Sequence, residues 1–473
     1  MSLIFDPEVS PQDFRGRRVT IIGLGKGRAT AGIARFAVAN GAQVTIADPK
    51  PRAELGEGIA RLGDTPAELV LGPSSDDAAL ADPDYVFINQ GVRPRSATVQ
   101  RALQRSIPVL TEMGLFFRLC PAPIVGVTGT KGKSTTYTLI SRILERSAKR
   151  VIAGGNIGTS IIDALPRIRP DDVVVLELSS FQLDTLGRSP HIAVITNVLE
   201  DHLDWHVTRD AYVAAKRHIV AWQGPRDVAV LNLDDPTTVA LHTGVPSEIR
   251  GYSLTLRPKR GAYRDADGTI ALVDGATRRP VMHERELRIP GQHNVANALA
   301  AAIVGDLHGV GAADIADVLR AFGGLPHRLE PVAEIAGVLY VNDSQGTTPY
   351  ATIPALAAYE RPAVVILGGV SKGADYAELA EAVVQRARAA VLIGRSADEI
   401  AFALERAGAT RKPLPVERAS DLRDAVRRAT ALAKRGDVVL LSPAAASFDM
   451  FSSYEERGEA FRAAVRGLEA TRP

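Results

Sequence analysis

Short apolar runs alternate with amphipathic stretches along most of the chain, and this alternation predicts repeated strand–turn–helix units. Arg18-Val19-Thr20-Ile21-Ile22 reads as a strand, followed by a turn at Gly23 and Gly25, a helix through Ala31–Val38 and a strand over Gln43–Asp48. Together these make one βαβ unit. Tyr85-Val86-Phe87-Ile88-Asn89 predicts a further strand, and Leu119-Cys120-Pro121-Ala122-Pro123 breaks the pattern, because proline disfavours regular structure on either side. A second block opens with Ile124-Val125-Gly126-Val127. Its later apolar runs, Asp172–Leu178 and Ile192–Asn197, suit buried parallel strands. The stretch from Ile249 to Ile289 alternates and is rich in turns, which predicts a small antiparallel insertion; a helix is expected from Asn294 through Ile303. Gly323-Gly324-Leu325-Pro326-His327-Arg328 marks a second break. Beyond it, Val338–Asn342, Ala363–Leu367, Ala390–Ile393 and Val438–Leu441 read as strands between Ala-rich, charged helices. The fold class is α/β, with blocks over residues 1–119, 120–324 and 325–473.

Composition narrows the function classes. The 473 residues suit about three domains. A hydrophobic share of 46% excludes a mostly disordered chain, and a single cysteine excludes a disulfide framework or a multi-cysteine zinc site. With 56 Lys plus Arg against 54 Asp plus Glu, the net charge is +2, too small for a general nucleic-acid binder. No apolar run is long enough to span a bilayer, and the N-terminal residues lack a signal-peptide pattern. The expectation is a cytoplasmic protein with no membrane insertion and no nucleic-acid partner.

The chemistry concentrates in glycine turns and polar strand ends. Gly126-Val127-Thr128-Gly129-Thr130-Lys131-Gly132-Lys133-Ser134-Thr135 lies between a strand and a helix, the context of a phosphate-binding P-loop. Backbone N–H groups from Gly129 to Thr135 would wrap phosphates, Lys133 would reach the terminal ones and Ser134 would ligate magnesium. Val127 stands where the common motif has glycine, so the loop is a variant; the alternative is a glycine turn with an incidental Lys-Ser. Glu177 ends one strand, and Asp201 and His202 follow the next. Ligands of parallel sheets bind beyond such ends, so Glu177 and His202 would face the nucleotide and hold a metal. The alternatives are an ordinary strand-end acid at Glu177 and a helix cap at Asp201. Lys216 reads by itself as a solvated helix residue, and Asn294, which shares a helix face with Asn297, as a cap. Gly23-Leu24-Gly25-Lys26-Gly27-Arg28 is a partial dinucleotide fingerprint with Asp48 at the place of the ribose-binding acid; Arg28 replaces its last glycine. In the third block Asn342-Asp343-Ser344, Gly368–Gly373 and Ser442–Ser447 all follow strands, which suggests a binding edge.

Taken in order, these segments resemble the ATP-dependent Mur ligase family. The likeness rests on the Gly-x-x-Gly-Thr-x-Gly-Lys-Ser loop, Leu176-Glu177-Leu178-Ser179-Ser180-Phe181-Gln182, Thr196-Asn197-Val198 with Asp201-His202, Gly291-x-His293-Asn294-x-x-Asn297, Leu325-Pro326-His327-Arg328 and Asn342-Asp343-Ser344. It covers nearly the whole chain. Within the family, Asn342-Asp343-Ser344, Leu367-Gly368-Gly369 with Lys372, and Ser442-Pro443-Ala444-Ala445-Ala446-Ser447 favour the branch that adds D-glutamate to UDP-N-acetylmuramoyl-L-alanine in peptidoglycan precursor synthesis, through an acyl phosphate. The resemblance implies a Rossmann-like UDP-binding domain, a central P-loop ATPase domain and a C-terminal Rossmann-like domain, acting as a monomer. It implies ATP and two magnesium ions, with Lys133, His202 and Lys216 in catalysis and Ser134, Glu177, His202 and a carbamylated Lys216 at the metal. Asn294, Asn297, Arg328 and Asp343 match nucleotide-contacting positions. Gly25, Lys26, Gly27, Asp48, Asn89 and Asn156 match the UDP-substrate side; Thr347, Lys372, Ser447 and Tyr454 match the side of the incoming amino acid.

The chain departs from that branch at Gln345, where lysine is usual, at Thr348 for asparagine, at Tyr454 for phenylalanine, and at Asn89-Gln90-Gly91 for Ser-Pro-Gly. Neutral Gln345 removes a charge near the reacting carboxylates, so a ligase for L-glutamate or another amino acid is the main alternative. An NAD-dependent dehydrogenase would rest on the first glycine turn alone and leave the P-loop unexplained. A catalytically silent binding subunit would be expected to have lost Lys133, Glu177 or His202, and all three are present.

Overall fold

The computed structural model describes residues 7–155, 160–289, 291–371, 373–409 and 414–470. Residues up to Phe322 form one compact unit and those from Gly323 a second. Among the described residues no helix is long and apolar enough to cross a membrane.

The first unit contains two sheets. The smaller is all parallel, in the spatial order Glu68–Leu71, Gln43–Asp48, Arg18–Ile22, Tyr85–Ile88, Val109–Leu110. The chain leaves Arg18–Ile22 for one side and later returns to its other side. That reversal opens a crevice at the carboxyl ends of Arg18–Ile22 and its neighbours, where the Gly23–Gly27 turn lies.

The nine-stranded sheet repeats this logic around Ile124–Thr128. On one side lie Val173–Glu177 and then the edge strand Val151–Gly155; on the other lie Ile192–Ile195, Val228–Asn232 and Glu248–Ser253. The P-loop therefore leaves its strand at a topological switch point. The segment expected as a separate antiparallel insertion instead extends this sheet. Glu248–Ser253 and Arg260–Arg264 pair in parallel, and only Thr269–Asp274 and Thr277–His283 run antiparallel. Alternation signalled one exposed face there, and it does not distinguish a free hairpin from the end of a larger sheet.

The helix Gln292–Leu307 is apolar on nearly every side and packs along the P-loop helix Lys133–Leu144. Gly305 permits this approach, since a Cβ there would sit 2.5 Å from the Ile143 side chain. One apolar core runs from Phe14, Ile21 and Phe87 under the small sheet to Ile124, Leu176 and Ile195 under the large one. At their junction Arg35 is paired with Asp163 at 2.6 Å.

The second unit is a six-stranded sheet in the order Glu330–Ile335, Val338–Asn342, Val438–Leu441, Ala363–Gly368, Ala387–Ile393, Val416–Arg418. Only the first pair is antiparallel. An apolar core covers each face. The polar segments after Asn342, Gly368 and Leu441 emerge from adjacent carboxyl ends.

Candidate active site

The P-loop is held by its neighbours as much as by its own turn. Asn197 Oδ1 accepts from Lys131 N–H at 2.9 Å, and Asn197 Nδ2 donates to Lys131 O at 2.9 Å. The Thr196 hydroxyl donates to the same carbonyl at 2.6 Å. Two glycines are obligatory. Gly129 has φ +150°, and a Cβ on it would fall 1.8 Å from Thr196 Oγ1; Gly132 has φ +85°, and its Cβ would fall 2.5 Å from Asn297 Oδ1. Gly132 precedes the helix Lys133–Leu144, whose N-terminal partial positive charge faces the loop.

Two lysine nitrogens meet on one carbonyl here. Lys133 Nζ donates to Gly129 O and Thr130 O, both at 2.9 Å. Lys216 Nζ donates to Gly129 O at 2.8 Å and rests 4.8 Å from the centre of the Tyr212 ring. Lys216 is 1% exposed, so the solvated-face expectation is wrong for it. Its helix, Arg209–Arg217, turns Tyr212, Ala215 and Lys216 inward onto the P-loop, and Tyr212 OH bonds Thr130 Oγ1 at 2.8 Å. Burial, and then the charge of Lys133, hold the Lys216 amine well below the ordinary lysine pKa.

Asn297 is buried beside the loop. It accepts from Thr136 Oγ1 at 3.1 Å and donates to Asn294 Oδ1 at 3.2 Å. The capping alternative for Asn294 is not found: Gly291, with φ +98°, is the N-cap, and Asn294 lies inside the first turn.

Glu177 is the last residue of its strand and 3% exposed. Burial and, secondarily, the Glu177 charge push the Tyr137 phenol up to about 12. His202 adopts φ +52°, with its ring 4.8 Å from that of Phe181. Asp201 Oδ1 accepts from the His202 N–H at 2.9 Å. Phe181 in turn stacks on His206, whose Nε2 lies 3.0 Å from Ser180 Oγ.

In the small sheet the Asp48 carboxylate turns into the glycine loop. Its Oδ2 accepts from Leu24 N–H at 2.8 Å and Gly25 N–H at 3.2 Å, while Oδ1 accepts from Lys50 N–H at 3.0 Å. Asn89 Nδ2 donates to Gly23 O at 3.2 Å and Thr30 Oγ1 at 3.0 Å. Gly27, at φ +75°, lies against Gly58, whose Cα would be 2.6 Å from an added Cβ. Gly25 and Lys26 remain exposed at the mouth of the turn. Asn156 lies outside the described residues.

In the second unit Asp343 is buried, accepting from Ser442 Oγ at 2.7 Å and Leu329 N–H at 3.1 Å. Burial pushes its carboxyl up to about 6, against the lowering effect of the Ser442 and Leu329 hydrogen bonds and the Arg328 charge. Gly346 packs so closely that a Cβ would lie 2.6 Å from Asp343 Oδ2. Thr347 is half-buried, Ser447 is buried, and Tyr454 opens the last helix with its ring 6.3 Å from that of His327. Lys372 lies outside the described residues.

A carboxyl whose folded pKa is raised favours the folded state most below its unfolded value. That contribution is lost as pH rises through the folded value. Asp343 should therefore cost the second unit about 2–3 kcal/mol at pH 7.5, a cost that vanishes near pH 4. In denaturant melts, Asp343→Asn should be the more stable protein at pH 7.5 and lose that advantage near pH 4; a pH-independent difference would contradict this.

Residues 127–305 match the Mur ligase middle domain, and residues 327–445 match the Mur ligase glutamate ligase domain. A UDP-N-acetylmuramoylalanine–D-glutamate ligase from Pelotomaculum thermopropionicum is 41% identical over 459 residues, covering 97% of this chain and 99% of that protein. The chain belongs to the Mur ligase family. A second relative of the same name, from Symbiobacterium thermophilum, is 38% identical over 95% of this chain and 98% of its own length. The fold agrees with solved Mur ligases: MurF from Acinetobacter baumannii (TM-score 0.57, 16% identity, covering 94% of this chain and 93% of that one) and the UDP-N-acetylmuramate-alanine ligase MurC from Thermotoga maritima (TM-score 0.55, 20% identity, 96% and 100%).

The Mur ligase middle-domain match contains Lys133, Glu177, His202, Lys216, Asn294 and Asn297; the second match contains Arg328, Asp343 and Thr347. Sequence reading missed the groups that hold this machinery in place: Thr196, Asn197, Tyr212 and His206. Tyr212 had a signal, since it precedes Lys216 by one helical turn. The grip of Asn197 on the loop had none, because it joins residues 66 apart.

Proposed function

We propose that this chain is an ATP-dependent amide ligase that joins D-glutamate to UDP-N-acetylmuramoyl-L-alanine, releasing ADP and phosphate. The observation that carries the reading is the convergence of the Lys133 ammonium and the Lys216 amine on Gly129 O, within a glycine-framed loop at a switch point. The Lys133 cation at the amino end of a helix fits a triphosphate. The acceptor and the amino acid are taken from relatives that the chain matches nearly end to end.

A carboxylate does not acylate an amine in water, because oxide is a poor leaving group. In this reading a carboxylate oxygen of the UDP-linked substrate attacks the γ-phosphorus of ATP, and the bond to ADP breaks. The glutamate nitrogen then attacks the acyl carbon, its proton is lost, and phosphate departs with the C–O bond. Lys133 exchanges its loop carbonyls for the transferring phosphoryl group, and the loop amides hold the remaining phosphate oxygens. Asn294, Asn297, Arg328 and Asp343 serve the nucleotide. Thr347, Lys372, Ser447 and Tyr454 serve the glutamate; Gly25, Lys26, Gly27, Asp48, Asn89 and Asn156 serve the UDP substrate. Residues 1–119, 120–324 and 325–473 act as the UDP-substrate, ATP and amino-acid domains.

Magnesium belongs to the family's chemistry. The donors here fit it by their chemistry: Ser134 lies in the first turn of the P-loop helix, Glu177 ends the strand paired with Ile124–Thr128, His202 follows the strand on its other side, and a neutral Lys216 amine can take up CO2, lose a proton and become a carbamate oxygen donor. Among the described residues no three His, Cys, Asp or Glu side chains form a closed metal site, so phosphate and water would have to supply the other ligands. Bound there, magnesium neutralises charge on the transferring phosphoryl group. We read the enzyme as a cytoplasmic monomer.

The test uses UDP-N-acetylmuramoyl-L-alanine labelled with 18O in its carboxylate. One labelled oxygen per turnover should appear in the phosphate. Phosphate without label, or none with any amino acid, would overturn the reading.

A further inference from the structure

A crevice in the first unit is lined from both of its sheets. One wall is Asn89, Gln90 and Val92, in the loop after Tyr85–Ile88. The other is Phe181 and Gln182, which follow the strand of Glu177, together with Trp205, three residues past His202. The crevice is tight: it leaves about 20 Å³, room for about one water.

Two of its side chains are not accounted for by the fold. Gln182 is 3% exposed, and its Oε1 accepts from Ser179 N–H at 2.9 Å, yet its Nε2 has no hydrogen-bond partner among the described residues. A buried amide donor left unmade is costly, and it marks a place for an acceptor. Trp205 is half-buried, gripped by one side chain from each wall. The Phe181 ring meets it edge to face at 4.9 Å, and the Arg93 guanidinium carbon lies 5.7 Å from the indole centre. Phe181 also touches the His202 ring, at 4.8 Å.

The position of the crevice decides what it takes. Asn89 Nδ2 donates to Gly23 O at 3.2 Å, which fastens one wall to the glycine turn on the UDP side. The contact of Phe181 with His202 joins the other wall to the magnesium side. The UDP group belongs at the first, and the substrate carboxylate must reach phosphorus at the second. The middle of the substrate, the N-acetylated sugar with its lactoyl-alanine arm, spans that interval. It offers C–H faces and methyl groups to an indole, and carbonyl oxygens to an amide donor.

We propose that Trp205 is a substrate-contacting residue: its indole packs against the sugar and acyl arm of the UDP-linked substrate, set at its angle by Phe181 and Arg93. This rests on the ligase reading above. The substrate must part the Arg93 loop from Trp205 as it enters, because the crevice is otherwise too narrow.

The test uses the indole itself. Trp222, the second of two tryptophans, is 46% exposed and packs on His218. Trp222→Phe should turn over like wild type and leaves Trp205 as the sole indole. With ADP present to prevent turnover, UDP-N-acetylmuramoyl-L-alanine should change its emission saturably, whereas UDP or D-glutamate should leave it unaltered. In steady-state phosphate release, Trp205→Ala should raise KM for UDP-N-acetylmuramoyl-L-alanine at least about tenfold, with KM for ATP and D-glutamate within about threefold; Trp205→Phe, which keeps a ring, should recover part of the loss. Unaltered emission, the same change with UDP alone, or equal rises in all three KM values would overturn the proposal. Should Trp205→Ala fail to fold, the emission titration decides alone, since it keeps Trp205. If wild type ligates and Trp205 stays silent, only this inference falls; if wild type does not ligate, the function reading falls and takes this with it.

Discussion

Lys133→Ala should lower ATP-dependent ligation by at least about 10³-fold, or about 4 kcal/mol of transition-state stabilisation, while the protein stays folded. The ammonium is half-buried and donates to the loop carbonyls of Gly129 and Thr130. The loop keeps its shape through Asn197 and Thr196, which do not depend on Lys133. The loss should fall on kcat more than on KM for ATP, because the charge is needed most where the phosphoryl group is in transit. Circular dichroism and thermal melts establish that the variant is folded. A folded variant with near wild-type turnover would remove Lys133 from the mechanism.

The second large effect concerns Lys216. Its amine is buried and held well below the ordinary lysine pKa by burial and by Lys133, which favours the neutral form more than in an exposed lysine. A neutral amine is the form that attacks CO2. If the carbamate is a metal ligand, Lys216→Ala and Lys216→Arg should both lose about 10²–10³-fold in kcat, since neither side chain can carry it. Formate or acetate, added to Lys216→Ala, should restore part of the activity by supplying a carboxylate to the emptied space. Lys216→Arg should gain nothing from either. Near wild-type activity in Lys216→Arg would show that only the positive charge matters and would exclude the carbamate.

Much of the fold could be read from the chain because its central strands are buried on both faces and appear as unbroken apolar runs. Val173–Glu177 and Ile192–Ile195 are of this kind. Edge strands gave no such signal: Val416–Arg418 is mostly exposed and Glu330–Ile335 mostly half-buried, so neither shows an unbroken apolar run. The P-loop was legible because glycine is needed for its φ values and close contacts. Lys216 was not legible from its own surroundings. A lysine among alanines looks solvated, and only the packing of its helix onto Gly129 reverses that; family likeness supplied its role first.

The most direct measurement is product formation by the purified enzyme with ATP, magnesium and UDP-N-acetylmuramoyl-L-alanine, incubated in parallel with D-glutamate, L-glutamate and no amino acid. Phosphate and the nucleotide-sugar product are followed together, the second by mass spectrometry. The account predicts phosphate release that depends on D-glutamate and matches, mole for mole, a product heavier by one glutamate residue. Release that depends on L-glutamate instead, or turnover with neither, would contradict it.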